Sequence, residues 1–300
     1  MSDKNMMCDL QTGICGEVEE DVQLVDFNTP AKKITLYYAT DPICSHCWAL
    51  EPVLNRFVLQ YGQYFNIQTI MGGLLQSWHG FADQANGIQK PADVAHHWRE
   101  VGEHSRMPID GSLWTTNPIQ SSYPPSRVFK VVQRKHPVHA ELLLRKLREA
   151  VFVFNHNIAE EQVLKDIVNQ IGLDGATLVA EAGEDAAQGW LEEDFALAAS
   201  LGVRGFPTII MVNEEKQGVK IVGARSLQTY VEALQKIVGG PLTAAEVPKL
   251  TNIHNGKQHL FAREIEVMYD LVPQDVETFL ANNLPQGTYE VKRIFNELYI

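Results

Sequence analysis

Little in this 300-residue sequence suits a membrane, an exported fold or nucleic acid. No run approaches the ~18 consecutive apolar residues that cross a bilayer. The first residues, Met1 to Asp21, are polar and acidic, without the basic flank and apolar core of a secretory signal, so a cytoplasmic location is expected. Basic side chains are outnumbered: 25 Lys and Arg against 37 Asp and Glu leave a formal net charge of -12. Nucleic acid, which needs a basic surface, is therefore not an expected partner. Cysteine is scarce, with only Cys8, Cys15, Cys44 and Cys47, too few in a chain this long for a disulfide scaffold. A close cysteine pair in a reducing compartment points instead to redox chemistry or metal binding.

What is present is an ordinary globular composition, 45% hydrophobic and 21% charged. Ile34-Thr35-Leu36-Tyr37-Tyr38-Ala39 is β-branched and aromatic and reads as a strand. It runs through Asp41-Pro42-Ile43 into Cys44-Ser45-His46-Cys47. Beyond it Leu50, Leu54 and Phe57 recur on one helical face. Phe65 to Ile70 reads as a second strand. From Gln76 to Ala187 the periodicities are helical, including 126–132, 139–154 and 160–172, with Gly172 as a C-cap. Strands return at Thr208–Val212 and Val219–Val222, followed by a helix from Leu227 to Val238. Last come helices over 259–271 and 273–280 and a short hairpin over 288–295. The expected organisation is a flexible tail over 1–30, an α/β core from 31–75 and 188–245, a helical insertion over 76–187, and a C-terminal winged-helix-like module over 246–300. That module carries a net charge of -3, which suits protein contact better than DNA.

Cys44 and Cys47 stand where a buried-type strand meets a helix. Two intervening residues put both sulfurs on the first helical turn, within reach of a disulfide. The helix N-terminus offers free N–H groups and its positive dipole end to Cys44. Cys44 is therefore expected as the nucleophile, with a pKa below the ~8.5 of a free thiol, and Cys47 as the resolving thiol. His46 is expected to tune the thiolate through a hydrogen bond or a positive charge, which makes the disulfide more oxidising. A zinc half-site, completed by Cys8 and Cys15, uses the same C-x-x-C pattern; the strand-to-helix placement favours redox use, with no metal and no cofactor beyond a Cys44–Cys47 disulfide. Phe206-Pro207-Thr208 suits a cis peptide at a chain reversal, though a trans proline at a strand's first residue is also allowed.

The segments Asp41-Pro42-Ile43-Cys44-Ser45-His46-Cys47-Trp48, Met71-Gly72-Gly73-Leu74 and Gly202-Val203-Arg204-Gly205-Phe206-Pro207-Thr208 resemble the DsbA family of thiol–disulfide oxidoreductases, particularly its FrnE-like branch. The resemblance covers about residues 33 to 240 and implies a thioredoxin-like fold with an inserted helical domain, as the element order also suggests. It puts nucleophile, resolving cysteine and cis-proline on Cys44, Cys47 and Pro207. Gly205, Phe206 and Trp48 are then expected beside the substrate. One position departs from the family: exported members carry a buried glutamate six residues before the first cysteine, where this chain has Tyr38, leaving Asp41 or a water as proton acceptor. Residues 44–57, with Leu-Glu-Pro-Val after Trp48, and the C-terminal extension also resemble the SpxH (YjbH) group of adaptors that deliver a transcription regulator to the ClpXP protease. The expected function is thiol–disulfide exchange on protein or low-molecular-weight substrates. The adaptor role is the alternative, with a protein partner held through the insertion or the C-terminal module. A kappa-type transferase would carry serine at the nucleophile position and no second cysteine.

Cys8 and Cys15 remain open between an auxiliary redox pair, part of a metal site and two exposed thiols. Adjacent His96 and His97 diverge on a helix and read as surface or packing residues rather than a shared metal site.

Overall fold

The computed structural model describes residues 34–83, 86–254 and 258–300, together with the backbone of 8–9 and 14–15. The N-terminal unit, residues 1–31, contributes strands β1 (Cys8–Asp9) and β2 (Ile14–Cys15). They pair antiparallel with Cys8 opposite Cys15, and both side chains lie outside the described residues.

The core of residues 32–300 is a four-stranded sheet. Strand β3 (Ile34–Thr40) is the β-branched and aromatic run, and helix α1 (Ser45–Tyr61) follows it. Leu50, Leu54 and Phe57 are buried on the face of α1 that covers the sheet. Strand β4 (Phe65–Met71) returns parallel to β3; β5 (Thr208–Val212) and β6 (Gly218–Val222) complete the order β4-β3-β5-β6, with β5 antiparallel to both neighbours.

Between β4 and β5 runs the helical block. Its helices are α2 (Pro91–Ser105), α3 (Leu113–Thr116), α4 (Tyr123–Lys135) and α5 (Ala140–Arg148), then α6 (Glu161–Gln170), α7 (Gly175–Glu181) and α8 (Asp185–Ser200). The helix expected over 139–154 divides here. A 3-10 turn precedes α5 and a π-helical turn, Glu149–Val153, follows it. Wide turns of this kind are often found at functional sites.

Helix α9 (Leu227–Val238) lies where its periodicity predicts. Ser226 accepts from Thr229 N–H at its start, and Gly239 at φ 75° closes it, a left-handed conformation that glycine adopts without a Cβ clash.

The last segment contains α10 (Leu250–Ile253), α11 (Ala262–Tyr269), α12 (Val276–Asn283) and the hairpin β7 (Lys292–Ile294) and β8 (Glu297–Tyr299). The hairpin is later than the sequence suggests. Its two-residue turn is Phe295-Asn296, both at positive φ, in place of the usual Asn-Gly signal. This segment packs around Leu260, Ile265, Val276, Leu280 and Leu298. Ion pairs fasten it to the rest: Arg56 of α1 with Asp270 (2.5 and 2.7 Å), and Arg106 with Glu266 (2.8 and 2.9 Å). Arg145 of α5 forks onto Glu264 (2.7 and 2.8 Å). No described helix is long and apolar enough to cross a membrane.

Candidate functional site

The dithiol forms because β3 ends in a buried turn. Asp41 receives Ile43 N–H on one carboxylate oxygen (3.1 Å), and Leu74 N–H (2.8 Å) and the Ser122 hydroxyl (2.9 Å) on the other. One side chain thus ties the start of α1, the Gly72-Gly73-Leu74 turn and the start of α4 together. Burial pushes the Asp41 carboxyl up to about 6 against the opposing effect of these hydrogen bonds. Cys44 is the N-cap of α1, and its Sγ accepts from Cys47 N–H at 3.3 Å.

The third motif meets the same place from β5. The Phe206–Pro207 peptide is cis, and Thr208 Oγ1 donates to Gly205 O at 2.7 Å. Gly72 lets the two loops touch, since a Cβ there would stand 2.0 Å from the Phe206 ring.

A cavity of about 640 Å³ opens over this junction. Cys44, His46, Gly205 and Phe206 line it from the core, and Trp78 and Trp98 from the insertion. Cys44 is 5% exposed and Cys47 is fully enclosed, so a reactant in the cavity meets Cys44.

Three expectations change here. Trp48 does not face the cavity: it is fully buried, its indole N–H donates to Pro108 O (3.0 Å), and it stacks on Phe152. The helix turns it one step past the opening and into the insertion's core. His46 is exposed beside His97 at 5.3 Å between ring centroids and, among the described residues, makes no hydrogen bond to Cys44. Partial desolvation, with His97 and His104, holds its imidazole below the ordinary value, so it is neutral at pH 7. The thiol order also differs. Burial pushes the Cys44 thiol up, with Cys47 and Asp41 adding to the effect. Cys47, although burial opposes it, is drawn down by a hydrogen bond from the Cys44 thiol, by Arg148 and by the Thr40 hydroxyl. The helix dipole favours charge at Cys44, while the Cys44 hydrogen bond and the buried Arg148 guanidinium favour it at Cys47.

That charge belongs to a network that sequence reading missed. Arg148 Nη1 donates to Glu51 Oε1 (2.8 Å), and Nη2 donates to Thr40 Oγ1 (2.5 Å) and Tyr38 OH (3.3 Å). Arg145 Nη1 takes the other Glu51 oxygen (2.5 Å), and its guanidinium lies over the Trp48 ring. The available signal was two arginines, Arg145 and Arg148, three apart in an otherwise leucine-rich helix. His97 lines the cavity, while His96 turns away to Glu100 (3.3 Å), as adjacent helical positions should.

Residues 37–232 match the thioredoxin family. The ClpXP adapter protein SpxH of Halalkalibacterium halodurans is 31% identical over 275 residues, covering 90% of this chain and 88% of its own. That of Shouchella clausii is 30% identical over 287 residues, covering 94% and 92%. Among solved structures, a disulfide-isomerase-like protein from Nitrosomonas europaea superposes with a TM-score of 0.57 at 21% identity, covering 69% of this chain and 96% of that one. This last similarity speaks to the fold alone.

Proposed function

Because the chain belongs to the thioredoxin family and, within it, to the group of SpxH adapter proteins, we propose that it binds a client protein and presents it to the ClpXP protease. The observation that carries the reading is the extent of the similarity. The tenth of the chain left outside the first alignment is shorter than residues 246–300, so the likeness runs past the thioredoxin core into the C-terminal module. An exchange enzyme of this fold has no need of that module. Ion pairs through Arg56, Arg106 and Arg145 fasten it to the thioredoxin-like core and the helical block. The reading carries a cytoplasmic location, where the protease works.

The test is protein turnover in cells that do or do not express this chain, each with and without ClpX. A client whose half-life shortens only when both are present supports the adaptor role. If no protein's turnover depends on both, the role is wrong.

A second activity is favoured by one specific feature, the Cys44 side chain lining a cavity of about 640 Å³ with Cys47 enclosed on the same helical turn. We propose that the pair exchanges electrons with thiols or disulfides that enter there, without a prosthetic group. A reversible two-electron couple between about -120 and -270 mV, abolished by Cys44→Ser, is the expected result. A wild-type protein with no reversible couple in glutathione buffers refutes it.

A further inference from the structure

Arg148 is 2% exposed, yet its charge is only partly matched. Among the described residues its one ion-pair partner is Glu51, through one oxygen, and Glu51 shares its other oxygen with Arg145. The Arg148 Nε–H has no partner among the described residues. A buried guanidinium in this situation stabilises any anion placed near it, because little water screens the interaction. Two contacts bring the guanidinium to the dithiol's helix: the Thr40 hydroxyl oxygen at the end of β3 accepts from Arg148 at 2.5 Å, and Glu51, which Arg148 pairs with, stands one turn along α1 from Cys47. The Cys47 sulfur is the anion that opening of the disulfide would put there. Tyr38, two residues before Thr40 on β3, also accepts from Arg148 at 3.3 Å.

We propose that Arg148, supplied by the helical insertion, is a positioning residue that stabilises the electron pair released on Cys47 when the Cys44–Cys47 disulfide opens, and so makes that disulfide more oxidising. The inference rests on the thiol–disulfide reading. In the step concerned, an external thiolate attacks Cys44 Sγ through the cavity. A bond forms between the external sulfur and Cys44, the Cys44–Cys47 bond breaks, and its electron pair moves to Cys47 beside Thr40 and Arg148. A second external thiolate attacks the first external sulfur, producing an external disulfide. Cys44 leaves with the electron pair and takes a proton from water. Two external thiols are oxidised and the protein disulfide is reduced.

The test measures the equilibrium of the full-length protein with reduced and oxidised glutathione at pH 8, by acid quench, alkylation and mass of the peptide carrying Cys44 and Cys47. Arg148→Met is expected to move the equilibrium about tenfold toward the disulfide, ~30 mV more negative for a two-electron couple. Arg148→Lys, which keeps the charge, restores most of that loss. Glu51→Gln removes the competing carboxylate and moves the equilibrium the opposite way, toward the dithiol; general loosening would not produce opposite signs. Should Arg148→Met fail to fold by circular dichroism, the sign for Glu51→Gln decides alone. An unmoved Arg148→Met, or a Glu51→Gln protein unmoved or shifted toward the disulfide, overturns the assignment. A wild-type protein without a reversible couple removes the exchange reading itself, and the assignment falls with it.

Discussion

Glu149 offers the sharpest stability test. It is 2% exposed and accepts four hydrogen bonds: Arg145 Nε (2.8 Å) and His259 N–H (3.1 Å) on one oxygen, Lys146 Nζ (2.8 Å) and His259 Nδ1 (3.0 Å) on the other. Burial alone would raise its pKa. The His259 hydrogen bond and the charges of Arg145 and Lys146 outweigh burial and hold it at about 2, against an ordinary 4.5. A difference of about 2.5 units corresponds to ~3 kcal/mol in favour of the folded state. The sign follows from the depressed value. The stabilisation is complete above the unfolded pKa, near 4.5, and is lost as pH falls toward 2. Glu149→Gln should therefore be less stable by ~3 kcal/mol at pH 7. The gap between variant and wild type should narrow below pH 4.5 and be about half gone near pH 3. Urea unfolding followed by circular dichroism at pH 7, 5 and 3 measures it. Because His259 leads into α11, amide exchange should rise first over 258–269. A gap that stays constant or widens toward acid would refute the reasoning.

Asp41→Asn removes a negative charge beside Cys44 and leaves one of three donors without an acceptor. Alkylation of Cys44 should shift its pH midpoint downward; an upward shift would contradict the assignment. In wild type, the raised Asp41 pKa means this group's contribution to stability increases as pH falls from about 6 toward 3.8. Gly72→Ala should displace the Phe206 ring and slow Cys44 alkylation by a bulky maleimide relative to iodoacetamide; an unchanged ratio would show that the two loops give way freely. Arg106→Ala strips the fork from buried Glu266 and should lower stability by about 2 kcal/mol, with faster exchange in α11 and the terminal hairpin; no change in either would make the contact ornamental.

Much of the core was legible because its signals are local. The β-branched run of β3, the buried face of α1, the Thr208–Val212 strand and the extent of α9 all follow from near neighbours along the chain. The dithiol was legible for the same reason, since two residues between cysteines on a helical turn fix their separation. The C-terminal hairpin was displaced because Phe295-Asn296 is an uncommon pair for a turn with two positive φ values. Trp48 was misplaced because a helix start shows which residues lie near a cleft but not which way each one turns.

The sequence alone therefore determined the sheet, the helix that follows the dithiol, and which two sulfurs meet. Only the tertiary structure decided the electrostatics of that meeting. Arg148 reaches Thr40 across 108 residues of chain and Arg145 reaches Glu264 across 119. Their helix shows an apolar face at ordinary spacing, and nothing in it states which carboxylates or sulfur will lie against it. Hydrophobic patterning is written every two or four residues. The partner of a buried charge is set by how distant elements pack, and here that packing places the Arg148 guanidinium on Thr40 and Glu51 and the His97 ring against His46.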